Sequence, residues 1–207
     1  MPVDESDGER SVGRRAILRA AGATTLGGTL STLVSEGVAA DPVSPNEPND
    51  RTVFDVERAG VESVYPQSVA SGGPTPNGVI AWTRVAPGAD ESDVPLGVEV
   101  ATDESFTDVV YRGVVPATEF GPETDYTVNV DLDPHLESGR HYFYRFVYDG
   151  DASRVGRCRT LPARDASPDS LGFAVLSCNN YLHGYFGAFG HVAAEDVDFI
   201  LHLGDFI

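Results

Sequence analysis

The sequence predicts an all-β sandwich over residues 63–165, followed by the first strand, helix and strand of an α/β domain over residues 166–207. Two observations predict it. Short alternating apolar runs separated by turn residues recur from Val64 to Thr160. From Phe173 the pattern changes to an apolar run, a stretch of helical spacing and a second apolar run.

Residues 1–40 read as a targeting segment. Arg14-Arg15-Ala16-Ile17-Leu18-Arg19 resembles a twin-arginine translocation motif, and Ala20–Val34 is weakly apolar and rich in Ala, Gly, Thr and Leu. Those fifteen residues are too short and too polar to span a membrane. Val38-Ala39-Ala40 supplies small residues for cleavage, which makes Asp41 the expected mature start. The motif implies the twin-arginine translocase as an export partner and a secreted or cell-envelope location. That route carries proteins already folded, which suits a protein loaded with metal ions before export. A surface amphipathic helix is the weaker alternative, because the basic residues cluster at one end.

Residues 41–62, with Pro42, Pro45 and Pro48 among Asp, Asn and Glu, have the composition of a linker. Seven strands are then expected at 64–70, 78–85, 96–102, 109–115, 124–131, 140–148 and 155–160. Pro76-Asn77-Gly78 is a strong turn before Val79-Ile80-Ala81-Trp82-Thr83, and Trp82 is expected in the core. Along 140–148, Tyr142, Tyr144, Phe146 and Tyr148 share the face expected to be buried, opposite His141, Phe143, Arg145 and Val147. Seven short strands at this spacing suggest an immunoglobulin- or fibronectin-III-like sandwich. Leu136-x-x-Gly139-x-x-Tyr142-x-Tyr144 resembles the tyrosine-corner stretch of such domains.

In the last segment, 173–177 and 197–203 are apolar runs of strand length, and Phe186, Phe189, Gly190 and Ala193 give 186–195 one helical packing face. Strand, helix and strand in so short a span predict parallel neighbours with a right-handed crossover. Cys178 and Asp205 then sit just past the carboxyl ends of adjacent strands, the edge where open α/β sheets bind ligands. Strands about 4.8 Å apart let a thiolate and a carboxylate from neighbouring tips reach one cation. Gly204 lets the backbone turn sharply before the carboxylate. A soft and a hard donor together suit iron or zinc better than calcium or magnesium at the ion the sulfur touches. On two residues alone, a buried inert Cys and a helix-capping Asp account for the pattern equally simply.

The wider run F-A-V-L-S-C-N-N-Y, G-Y-F and D-F-I-L-H-L-G-D-F-I resembles the start of the catalytic domain of PhoD-like alkaline phosphatases, a branch of the calcineurin-like metallophosphoesterases. Most of that superfamily opens with D-x-H, whereas Ser177-Cys178 at this strand end is peculiar to the PhoD branch. Val69-Ala70-Ser71-Gly72, Ala81-Trp82-Thr83-Arg84 and Gly156-Arg157-x-Arg159-Thr160-Leu161-Pro162 resemble the N-terminal domain of the same proteins. The resemblance implies that Cys178 is a ligand of Fe3+, that Asp205 bridges this iron to Ca2+, and that the substrate is a phosphate ester. Asn179 and Asn180, in the loop after Cys178, are candidates to touch phosphate or the groups behind the ligands, although Asn is common in loops for its turn chemistry alone. The family's next ligand, a Tyr three positions after the bridging Asp, falls beyond Ile207, as do its later Asn- and His-containing motifs. The expectation is therefore a fragment of an active site, inactive by itself.

Charge fixes a habitat and excludes one partner class. Fourteen basic residues, all of them Arg, stand against 32 acidic ones for a net charge of −18. Without residues 1–40 the net charge is still −17. Such a surface has nothing to neutralise a run of phosphates, which argues against nucleic acid. Strong acidity without Lys fits a high-salt origin, with an ordinary acidic secreted protein as the plainer reading. The five His residues show no metal spacing, and His202 reads as a satisfied core histidine. A Cys158–Cys178 disulfide is the rival to a Cys178 thiolate ligand. Two functions stay open: the amino-terminal part of a secreted phosphatase, or a truncated, non-catalytic product or binding module.

Overall fold

In the computed structural model, residues 40–43, 51–88 and 93–206 are described. Arg14, Arg15 and the expected cleavage site up to Ala39 lie outside them. The chain makes β1 (Asp41–Val43), a single helical turn α1 (Arg51–Phe54), β2 (Arg58–Ala59), β3 (Val69–Thr75), β4 (Gly78–Arg84), β5 (Leu96–Ala101) and β6 (Val109–Val115). Two 3-10 turns lead to β7 (Thr127–Asp131), and then come β8 (His141–Tyr148), β9 (Asp151–Ala152) and β10 (Gly156–Arg159). The last elements are β11 (Phe173–Leu176), α2 (Gly187–Ala194) and β12 (Phe199–His202).

Strands β3, β4 and β7 form one antiparallel sheet. A seven-stranded sheet has the order β1-β6-β5-β8-β9-β2, with β10 also paired to β8. Alternation explains how the two share a core. Val79 and Ala81 from β4 and Val128 and Val130 from β7 meet Val98, Val100, Tyr142, Tyr144 and Phe146 from the larger sheet. Tyr142, Tyr144, Phe146 and Tyr148 are all at most 2 % exposed, as the pattern of residues 140–148 requires. Val147 on the opposite face is buried too, because that face is also covered.

The cover comes from the segment expected to be a linker. Residues 41–43 pair with β6, with Asp41 opposite Val114, and residues 58–59 pair with β9. Phe54 anchors the stretch between them: its ring lies over Gly97, where a Cβ would come within 2.8 Å of it. Beside it the fully buried Glu99 accepts from Arg112 Nε at 2.8 Å and pairs with Arg145 Nη2 at 2.6 Å. The two guanidinium groups stack on Phe54 and Phe106. Composition marks 41–62 as a linker because it counts few apolar residues. It does not register that a single Phe fits the gap left by a glycine.

Two further expectations change. The first long strand begins at Val69 and runs through Gly72, Gly73 and Pro74, instead of covering 64–70. Val64 and Tyr65 lie in a turn before it, and the Tyr65 hydroxyl donates to the Asp151 carbonyl at 3.0 Å. An edge strand pairs on one side only, so β3 tolerates the Gly and Pro that the sequence presents as a breaker. Trp82 is not in the core. It lies on the half-buried outward face of β4, while Val79, Ala81 and Thr83 face inward.

Strands β11 and β12 pair in parallel, Phe173 opposite Phe199 through Leu176 opposite His202, with α2 in the connection. A half-buried ion pair joins this part to the larger sheet: Arg159 of β10 meets Asp198, which also accepts from the Gly172 N–H at 2.8 Å. Phe173 is 50 % exposed and Ile200 53 %, so this two-stranded sheet presents open apolar surface. Among the described residues no helix is long and apolar enough to cross a membrane.

Candidate metal centre

The two strand tips are held together beyond the last strand residues. Leu203 N–H donates to the Leu176 carbonyl at 2.8 Å, Cys178 N–H to the Gly204 carbonyl at 3.0 Å, and Asn179 N–H to the Asp205 carbonyl at 2.7 Å. This ladder fixes the two loops against each other. It brings Cys178 Sγ to 3.5 Å from Asp205 Oδ2.

Both donor residues have left-handed backbones, φ 59° at Cys178 and φ 56° at Asp205. A side-chain-bearing residue pays about 1–2 kcal/mol for that conformation. Strain of this kind gathers at functional sites, where the surrounding structure enforces it. Between them Gly204, at φ 112°, supplies the turn that a residue with a Cβ adopts poorly. Asp205 follows β12, and the next residue, Phe206, packs edge-on against Phe189 and stacks on Phe186 at the start of α2. The aromatic contacts thereby hold the carboxylate-bearing turn. Phe206 was not distinguishable in the sequence from any other apolar residue after the Gly-Asp pair.

Cys178 and Asp205 are solvent-exposed, so both donors are open on the side away from the sheet. Cys158 and Cys178 are both free thiols, and Cys158 is buried. The alternative of a disulfide between them is therefore not what the chain forms here. Burial pushes the Cys158 thiol up to about 12, which keeps it protonated and inert.

The neighbours of the pair divide by role. Asn180 Oδ1 accepts from the Leu182 N–H at 2.8 Å and lies 3.1 Å from His183 Nδ1, so its carbonyl oxygen shapes the loop. The Asn179 amide lies 3.0 Å from His202 Nε2. His202 is half-buried and satisfied, as expected, but at the strand tip and not within a core. Among the described residues no group of three or more His, Cys, Asp and Glu side chains converges as a metal cage. Among the described residues Cys178 and Asp205 are the expected ligands that the fold brings together. A cavity of about 760 Å³ lies elsewhere, between β3, β10 and the α2/β12 side, and neither Cys178 nor Asp205 lines it.

Comparison with known proteins finds two family models that match separate segments of the chain. Residues 51–162 match the family model of the PhoD-like phosphatase N-terminal domain, and residues 173–207 match that of PhoD-like phosphatase. Alkaline phosphatase D of Bacillus subtilis (strain 168) is 40% identical over 162 residues, covering 74% of this chain and 27% of that protein. The solved structure of PhoD superposes with a TM-score of 0.64 at 38% identity, covering 70% of this chain and 28% of that one. The chain spans little more than a quarter of the relatives it matches.

Proposed function

The chain belongs to the PhoD-like phosphatase family, and from that premise we propose that it forms the amino-terminal part of an exported alkaline phosphatase or phosphodiesterase whose metal site begins at Cys178 and Asp205. The observation that carries the reading is the approach of Cys178 Sγ to 3.5 Å from Asp205 Oδ2, made by two left-handed residues on neighbouring strand tips. In the structure the Cys178 S–H donates to the Asp205 carboxylate, and a cation bound there would take that proton's place between the two side chains. The pair is exposed and fixed by backbone hydrogen bonds, which suits a shared cation.

In this reading Cys178 would help hold Fe3+, and Asp205 would help hold both that ion and Ca2+. Such ions would supply Lewis acidity toward a phosphoryl oxygen and toward water. The chain's own residues fix where that charge is placed. The ladder from Leu203 to Asn179 sets the donor separation, Phe206 braces the Asp205 turn, and Asn179 offers an amide to an anionic oxygen.

The preceding domain is an immunoglobulin- or fibronectin-III-like sandwich. Support comes from the strand arrangement, β3-β4-β7 facing β6-β5-β8-β10, and from Tyr142, whose hydroxyl accepts the Glu137 N–H at 2.9 Å. Export by the twin-arginine translocase rests on Arg14 and Arg15, and a high-salt habitat on the net charge of −18 without Lys. The test of the phosphatase reading is turnover of a chromogenic phosphate monoester and diester by a polypeptide carrying this chain and the rest of the family domain. Activity lost to a chelator and restored by Fe3+ with Ca2+ supports it. Activity indifferent to the chelator, or none with both ions supplied, would overturn it.

A further inference from the structure

We infer that His202 is a positioning residue for the Cys178/Asp205 pair, holding the turn at Gly204 and fixing the Asn179 amide with its NH2 group free to donate. This rests on the reading of that pair as a metal site.

The imidazole joins the two loops that carry the donors. Its Nδ1 lies 3.2 Å from the Gly204 N–H, the residue before Asp205. Its Nε2 lies 3.0 Å from the side-chain amide of Asn179, the residue after Cys178. The Phe206 ring stands edge-on at 5.3 Å between centroids and limits rotation of the imidazole. The sequence puts these groups in register, since His202 pairs with Leu176 at the end of the parallel ladder.

Proton accounting fixes the orientation of both partners. A backbone N–H only donates, so Nδ1 is the unprotonated, accepting nitrogen. A neutral ring then carries its hydrogen on Nε2, which must donate. If Asn179 presented its NH2 to Nε2, both ring nitrogens would have to accept, and the ring would be an imidazolate. Asn179 therefore turns its carbonyl oxygen to Nε2, an exchange of O and N that only the hydrogen-bond network decides. Its NH2 is left as a donor for an oxygen of an anionic ligand beside Cys178. Partners of this kind, one step behind the ligands, orient the donors and tune the site.

Two measurements on this chain test the role. Long-range proton–nitrogen correlation NMR on 15N-labelled protein, at mildly alkaline pH, should show His202 with Nε2 protonated and Nδ1 bare. A protonated Nδ1 would overturn the assignment, with no variant required. Cobalt(II) alone is the second probe, read through its thiolate charge-transfer band. His202→Ala should weaken cobalt binding roughly 10–100-fold. His202→Asn, which keeps an acceptor near the Nδ1 position for Gly204, should recover part of that loss. Unchanged binding in His202→Ala, with Cys178→Ser abolishing the band, would overturn the positioning role alone. A band surviving in Cys178→Ser, or absent in the unaltered chain, would remove the site itself and the role of His202 with it.

Discussion

Cys178 and Asp205, 27 residues apart in the chain, stand 3.5 Å apart at the tips of two parallel strands, each with a left-handed backbone. Nothing in strand pairing alone requires this. A Gly at either position would satisfy the turn without strain, so the side chains account for the presence of these residue types. The energetic cost is borne by the ladder of backbone bonds from Leu203 to Asn179 and by the packing of Phe206 on Phe186 and Phe189.

The Tyr142 hydroxyl accepts the Glu137 N–H at 2.9 Å and closes the corner before β8. Tyr142→Phe keeps the ring in the core but leaves that partly buried N–H without its acceptor. The expected loss is about 1–2 kcal/mol of stability, read as a lower denaturant midpoint with an unchanged slope. A variant as stable as the parent would deny the corner its role.

Glu99 is wholly buried between Arg112 and Arg145. Glu99→Gln retains the shape but leaves two guanidinium groups facing each other without a counter-charge. Breaking a buried pair costs about 3–5 kcal/mol, and because both Arg side chains keep some contact with water the lower end is expected. Chemical denaturation of parent and variant at one salt concentration checks this. A loss under about 1 kcal/mol would place the cluster among weak surface pairs.

Burial holds the Cys158 thiol at about 12 against an ordinary 9.0, and burial also raises the hydroxyls of Tyr65 and Tyr144. A folded pKa above the unfolded one means that the native state keeps its protons longer. The associated stability is complete below pH 9 and is lost as the pH rises toward about 12. Denaturant midpoints should fall across that window, and less steeply in Cys158→Ala. A midpoint independent of pH there would contradict the burial account. At neutral pH a thiol reagent should modify exposed Cys178 at once and Cys158 only on unfolding.

Much of this was legible in the sequence, for reasons specific to each element. β8 was readable because Tyr142, Tyr144, Phe146 and Tyr148 recur at every second position, and that periodicity survives in the fold. The meeting of Cys178 with Asp205 was readable because Ser177-Cys178 and Gly204-Asp205 each follow a four-to-seven-residue apolar run, which places them at strand ends. β3 was displaced because an edge strand does not need an apolar face. The role of 41–62 was hidden because it depends on Phe54 meeting Gly97, a contact across 43 positions with no local signature. His202 read as an ordinary core histidine because its contacts with Asn179 and Gly204, on two different loops, have no local signature.

The most direct measurement is metal content and phosphatase activity of Asp205→Asn in a polypeptide carrying the rest of the family domain. Asn keeps the size and hydrogen-bonding shape of Asp and tolerates the left-handed backbone, so folding is preserved while the charge is removed. The account predicts loss of at least one bound ion and collapse of activity, with Asp205→Glu nearly as impaired because one methylene shifts the oxygens. Full metal occupancy with near-normal turnover in Asp205→Asn would contradict it.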